Sequence, residues 1–228
     1  MLDAAEKEKK AAAAEAAKFV ESNQIIGLGT GSTAFYVVEK IGELVARGLK
    51  IKAVPTSEKT RRQAASLNIP LVGIDEVDEI DLTIDGADEF DGNLNLIKGG
   101  GGALLMEKMV ASLSKREIIV ADSSKKVEVL GKFKVPIEAT KFTANYVMKK
   151  LAAIGGTGAI RERGGKIFIT DTGNLIVDAD FGAIADPVVL ADEIDRIVGV
   201  VCHGLFINLA ERVIMARADE ILIFEKQR

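Results

Sequence analysis

Asp85-Gly86-Ala87-Asp88-Glu89, followed by Lys98-Gly99-Gly100-Gly101-Gly102 and Glu107, sets carboxylates and an ammonium around bare backbone. Such a set suits proton transfer on an anionic, oxygen-rich substrate. A carboxylate can abstract a proton, a lysine can stabilise the oxyanion that develops, and glycines let a ligand reach backbone N–H groups. Taken alone, Asp85-Gly86 is an ordinary turn signal, repeated at Asp91-Gly92, and a single helix glutamate is usually solvated. A packing turn rarely needs four consecutive glycines, however, and that run argues for Lys98 and Glu107 as partners in chemistry.

A second candidate is Gly27-Leu28-Gly29-Thr30-Gly31-Ser32-Thr33, between an apolar run from Gln24 to Leu28 and a segment with Phe35, Val38, Ile41, Leu44 and Val45 at helical spacing. A strand entering a helix through glycines leaves amides pointing at one spot, an anion site to which Thr30, Ser32 and Thr33 add hydroxyls. A dinucleotide fingerprint would need glycine at position 32, where serine stands, and an acidic residue near Val54-Pro55-Thr56, which is missing. A P-loop fails too, because no lysine follows the last glycine of the turn. Lys125 follows the apolar run Ile118 to Ala121 through Asp122-Ser123-Ser124 and is placed to reach a phosphate. Cys202 and His203, adjacent on an expected strand, read as structural. No His/Cys/Asp cluster has metal-ligand spacing, and none is expected to bind a metal.

The elements that must position these residues alternate. Helix signals cover the first twenty residues, Glu58 to Leu67 and Ala103 to Leu113, with Glu107 in the second turn of the last. Strand signals cover Ile51 to Val54, Leu71 to Ile74, Ile80 to Asp85 and Ile118 to Ala121. This rhythm predicts an α/β fold, a Rossmann-like parallel sheet with helices on both faces. From about Gly131 the order becomes β-α-β-β-α-β, which predicts a small α+β domain of the split βαβ, ferredoxin-like kind. The expected division is 1–130 and 203–228 for the Rossmann-like domain and 131–202 for the small one, with the tail Glu211 to Lys226 returning to the first sheet.

Composition narrows the partners. The 228 residues carry 30 basic and 34 acidic side chains with no basic block, which argues against nucleic acid. Charge runs through the Ala/Glu/Lys segment at 4–18, so neither a signal peptide nor a membrane partner is expected. The single cysteine fits a reducing compartment, and a cytoplasmic protein is the expectation.

GLGTGSTA at 27–34, DGADE at 85–89, KGGGGALLMEK at 98–108, ADSSK at 121–125 and GNLIVD at 173–178, in this order and spacing, resemble type A ribose-5-phosphate isomerases. The resemblance implies a homo-oligomer (dimer or tetramer), no cofactor, and interconversion of ribose 5-phosphate and ribulose 5-phosphate. It assigns Thr30, Gly31, Ser32, Thr33 and Lys125 to phosphate and sugar contacts. Asp85, Gly86, Ala87, Asp88, Lys98, Gly99, Gly100 and Gly101 would line the sugar. Glu107 would be the base, with Asp85, Asp88 and Lys98 also catalytic. A methyltransferase is disfavoured because glycine, not an acid, stands two residues before Gly29. A non-catalytic sugar-phosphate sensor would have no need of Glu107.

Overall fold

The computed structural model describes residues 4–226; residues 1–3 of the expected first helix and 227–228 of the tail lie outside the described residues. The elements run α1 (Ala4–Ala16), β1 (Ile25–Leu28), α2 (Ser32–Ala46), β2 (Lys52–Pro55), α3 (Glu58–Ser66), β3 (Leu82–Gly86), β4 (Glu89–Phe90), β5 (Leu96–Ile97), α4 (Leu104–Ser112) and β6 (Glu117–Asp122). They continue through β7 (Val135–Ala139), α5 (Ala144–Ala153), β8 (Thr157–Ile160), β9 (Glu162–Arg163), β10 (Lys166–Ile167), β11 (Leu175–Asp180), α6 (Pro187–Asp195), β12 (Val200–His203), β13 (Leu205–Phe206), β14 (Arg212–Arg217) and β15 (Glu220–Glu225). Two compact units result: Met1–Ala87, Met106–Lys126 and Asn208–Arg228 form the first, Asp88–Leu105 and Val127–Ile207 the second. The segment 88–105, expected with the Rossmann-like domain, therefore groups with the smaller fold. The reason is a three-stranded sheet ordered β13-β5-β4, in which Leu205 and Phe206 pair with Ile97 and Leu96.

The first unit is built on a six-stranded sheet ordered β15-β14-β6-β3-β1-β2, parallel except for the antiparallel edge strand β15. Leu71, expected inside a strand, makes only an isolated parallel bridge to Ala53. Pro70 has no N–H to give a ladder, and the chain turns into a 3-10 segment at Ile74–Glu76. Counting that bridge as a rudimentary strand, the parallel strands follow the 3-2-1-4-5-6 order of Rossmann folds, with β15 added as an antiparallel seventh. Period-2 alternation feeds both faces of the sheet. Ile26 and Leu28 of β1, Leu82 and Ile84 of β3 and Ile118 and Val120 of β6 meet Ala12, Ala16, Val37 and Ile41 from α1 and α2. Val54, Ile80 and Ile25 meet Val110 of α4 on the other face. Helices thus cover both faces, and α1 joins the sheet through Glu8, whose carboxylate accepts the N–H groups of Ser123 and Ala218. Burial, the largest influence, pushes the Glu8 carboxyl up. The bonds from Ala218 and Ser123 and the charge of Arg217 together bring it below the ordinary value. Those bonds are therefore complete at neutral pH and fade as pH falls through that lowered pKa.

In the second unit β7, α5, β8, β11, α6 and β12 form the β-α-β-β-α-β series, with an antiparallel sheet ordered β12-β7-β11-β8. Strands one and two of the series, β7 and β8, are thus held apart by the third, β11, as in a split βαβ unit. Its core is aliphatic, with Val135, Ile137, Val177 and Ala179 of the sheet against Val147, Leu151, Leu190 and Ile194 of α5 and α6. Helix α6 starts sharply because Asp186 accepts the N–H groups of Val188 and Val189 while Pro187 opens the helix. Cys202 and His203 are both buried beside a register shift in β12. The thiol faces the carbonyl of Leu104 at 3.8 Å, and His203 Nε2 lies 3.2 Å from Asp195.

Candidate active site

In doubly wound sheets ligands collect at the carboxyl ends of strands where the chain changes direction across the sheet. Here that point lies between β1 and β3, since the chain goes from β1 outward to β2 and then returns to the far side of β1. The turn Gly29 to Ser32 leaves β1 there and Asp85-Gly86 ends β3. The two are bonded together: Gly29 N–H donates to Ile84 O at 3.0 Å and Thr30 N–H to Asp85 Oδ1 at 2.9 Å. Gly86 N–H adds a second bond to the same oxygen at 2.7 Å, which fixes the orientation of the fully buried Asp85 carboxylate. Gly31 precedes α2 with φ 138° and supplies no side-chain cap, so the first-turn amides of the helix are left to external acceptors. Ser32 is exposed in that turn and Thr33 buried.

Thr30 departs from expectation. Its hydroxyl donates to Ser57 at 2.7 Å and lies 2.7 Å from Thr56 Oγ1 and 3.0 Å from Thr60 Oγ1. This hydroxyl cluster, at the start of α3 where Ser57 also accepts the N–H of Thr60, ties the glycine turn to β2 and α3. Thr56, Ser57 and Thr60 were not singled out from the sequence. A serine two residues before a lysine-threonine pair signals only a helix cap, and its partner 27 residues away is invisible without the fold.

Glu107 sits in the first turn of α4, one turn earlier than the sequence suggested, and is 4% exposed. Helix α4 passes beneath Gly27 at Val110 and reaches the start of β3, where Leu113 O accepts the N–H of Ile80. Its first turn therefore lies at the carboxyl edge of the sheet, the edge that carries Gly31 and Asp85. Lys125 ends a 3-10 turn after β6, the strand beside β3, and is half-buried. Asp122 caps that turn through Ser124 N–H at 3.0 Å, and Glu8 holds Ser123.

Asp88 and the Lys98 to Gly102 loop belong to the second unit. Asp88 N–H donates to Ile97 O, and Asp88 Oδ2 accepts the N–H of Gly100 at 2.7 Å. Lys98 is 1% exposed; its backbone N–H donates to Gly204 O and its ammonium stands 5.4 Å from the centre of the Phe206 ring. Gly99 and Gly102 adopt φ of 100° and 88°, which side chains other than glycine rarely tolerate. From the far side of the loop Arg161 donates to Gly99 O and Arg163 to Gly100 O and Gly101 O. Neither arginine was singled out from the sequence, because a charge on a short alternating strand looks like a solvated face. Ala87 joins the two aspartates at the end of β3 and is half-buried. Among the described residues no group of three or more His, Cys, Asp or Glu stands together to hold a metal ion.

One substitution probes the bonded turn directly. A Cβ on Gly29 would lie 2.1 Å from Asp85 Oδ1 and 2.5 Å from Asp85 Cα, and the second atom is backbone that cannot swing aside. Gly29→Ala is expected to lower kcat/KM about 100-fold through displacement of Asp85 and to cost about 1–3 kcal/mol of stability as overpacking. Steady-state kinetics beside a thermal melt check this; wild-type kinetics in the variant would remove Asp85 from the site.

A doubly wound α/β sheet with a glycine turn into a helix and buried acids at its carboxyl edge belongs to the class of Rossmann-like α/β proteins. Comparison with known proteins makes this specific. Residues 52–220 match the ribose 5-phosphate isomerase A (phosphoriboisomerase A) family. Ribose-5-phosphate isomerase A of Streptococcus gordonii is 49% identical over 221 residues, covering 96% of this chain and 98% of its own. A solved ribose 5-phosphate isomerase from Plasmodium falciparum aligns with a TM-score of 0.94 at 44% identity over 98% of this chain and all of that one. A D-ribose-5-phosphate isomerase in complex with phospho-erythronic acid aligns with a TM-score of 0.94 at 40% identity, covering 97% of this chain and 99% of that one. The chain belongs to the ribose 5-phosphate isomerase A family.

Proposed function

We propose that the protein interconverts D-ribose 5-phosphate and D-ribulose 5-phosphate through an enediolate, an aldose–ketose isomerisation of the non-oxidative pentose phosphate pathway. The observation that carries this reading is a near-fully buried glutamate, Glu107, in the first turn of a helix at the carboxyl edge of the sheet, in a chain of this family. Glu107 takes the proton from C2 of the open-chain aldose; the C2–H electron pair makes the C1–C2 double bond of the enediolate and the C1 carbonyl pair moves onto O1. Transfer of the hydroxyl proton from O2 to O1 and return of the Glu107 proton to C1 give the ketose. The oxygen that becomes anionic is stabilised by the Lys98 ammonium and by amides of Gly99, Gly100 and Gly101. Asp85 and Asp88 move hydroxyl protons during ring opening, and Gly86 and Ala87 give the sugar room at the strand end. The phosphate binds the first-turn amides of α2 from Gly31 onward, the exposed Ser32 hydroxyl and Lys125. Thr30 supports that turn through the hydroxyl cluster, and the buried Thr33 packs beneath it. A phospho-erythronic acid, the ligand named for one of the aligned isomerases, carries the same pairing of a phosphate with a carboxylate-like end that an enediolate would present.

The enzyme works without a metal or organic cofactor, in the cytoplasm, as a homodimer or larger homo-oligomer. Among the described residues no helix is long and apolar enough to cross a membrane. The reaction is tested by mixing the protein with ribose 5-phosphate and following ketose formation. Exhaustive chelation is expected to leave that rate unchanged; loss with chelator and recovery with a divalent ion would turn Asp85 and Asp88 into candidate ligands.

A further inference from the structure

The glycine loop is held in a way the isomerase chemistry itself does not explain. Arg161 is 9% exposed and its guanidinium is used along both edges. Nε donates to Asp178 Oδ2 at 2.8 Å and Nη2 to Asp178 Oδ1, a two-pronged pairing that fixes the plane of the group. The remaining edge, Nη1, donates to Gly99 O at 2.7 Å and Gly100 O at 3.3 Å.

The carbonyl of Gly99 and the N–H of Gly100 belong to one trans peptide, so they point in opposite directions. Arg161 holds the first and Asp88 Oδ2 holds the second at 2.7 Å. One peptide plane is thereby clamped between a buried cation and an acid of the site. The next peptide is fixed similarly on one side: Gly100 O accepts from Arg163 at 3.0 Å as well as from Arg161, which turns the N–H of Gly101 away from both arginines. Four successive glycines are costly to order, and unclamped peptides would rotate between several orientations.

We propose that Arg161, locked by Asp178, is a positioning residue that fixes the peptide planes of Gly99 to Gly101 so that Asp88 and the Gly101 amide face the substrate. The proposal rests on the reading that this loop serves the reaction. It explains why a near-buried arginine is paired with the half-buried Asp178 here despite the desolvation cost that such a pair carries.

Arg161, Arg163, Asp178 and Gly100 also line a cavity of about 580 Å³, wide enough to admit a free guanidinium ion. That allows a test by rescue. Arg161→Ala is expected to lower kcat about 10- to 100-fold, as loss of an outer-shell support does elsewhere, and added guanidinium chloride at non-denaturing concentration should recover at least a tenth of the wild-type kcat. Arg161→Lys, which keeps the charge but cannot span Asp178 and two carbonyls, should fall between. Asp178→Asn should lower kcat in the same direction and speed amide hydrogen exchange in peptides covering 98–102. If Arg161→Ala does not fold, Arg161→Lys and Asp178→Asn carry the test. Unchanged kcat in the folded variants, or a loss in Arg161→Ala that guanidinium does not reverse, would overturn the proposal. Lys98→Ala serves as the reference: if it lowers kcat while the Arg161 and Asp178 variants do not, the clamp fails alone, and if Lys98→Ala also has no effect, the role of the whole loop fails.

Discussion

Glu107→Gln is expected to lower kcat by about 100- to 10,000-fold, the usual contribution of one general base, with substrate binding retained. The amide matches the carboxylate in shape and keeps the packing of a side chain that is 4% exposed in α4, but it cannot accept the C2 proton. Glu107→Ala would confuse the matter, because it would also open a cavity at the start of the helix. Binding of an unreactive phosphorylated sugar acid, followed by calorimetry, should be within a few-fold of wild type. Isomerisation by the variant at a near wild-type rate would remove Glu107 from the chemistry and direct attention to Asp85, a fully buried acid at the carboxyl edge of the first sheet.

The second large effect separates two lysines. Enediolate charge exists only during the reaction, so a group that stabilises it acts on kcat, whereas a phosphate contact is equal in bound substrate and transition state and shows in KM. Lys98→Ala is expected to lower kcat about 100- to 1,000-fold, as removal of an oxyanion donor does, with KM little changed. Lys125→Ala should raise KM about tenfold or more, the worth of one charged hydrogen bond, with kcat nearly intact. Their settings support the split: Lys98 is 1% exposed in the loop with Asp88, whereas Lys125 is half-buried at the end of a 3-10 turn beside β3. Steady-state kinetics of both variants decide it, and equal losses of kcat would mean that the two roles are shared.

What the sequence made legible follows from which signals are local. The β1 to α2 turn, the aspartates closing β3 and the strand-to-turn passage before Lys125 all lie where pattern and turn chemistry coincide, and each was placed at its strand end. The β-α-β-β-α-β order of 135–203 was readable because each helix and strand is long enough to show a period. Strands of two residues show none. The pairing of Leu96 and Ile97 with Leu205 and Phe206, which assigns 88–105 to the second unit, was hidden for that reason. Long-range polar partners were hidden too. Thr30 looked like a phosphate donor until Ser57, Thr56 and Thr60 took its hydroxyl, and nothing local marks Arg161, whose partner Asp178 lies 17 residues on and fixes it beside the glycine carbonyls. Leu71 to Ile74 shows the reverse error: an apolar run read as a strand, which Pro70 and the 3-10 turn after Gly73 reduce to a single bridge.

The central claim, proton transfer by Glu107 through an enediolate, is tested most directly by nuclear magnetic resonance of ribose 5-phosphate held at equilibrium with the protein in deuterium oxide through many turnovers. The account predicts deuterium entering C1 of the ketose and C2 of the aldose with the wild-type protein, and label and ketose both appearing about 100- to 10,000-fold more slowly with Glu107→Gln. Protium retained at both carbons during rapid isomerisation, the mark of a direct hydride shift, or deuterium entering equally fast with Glu107→Gln, would contradict it.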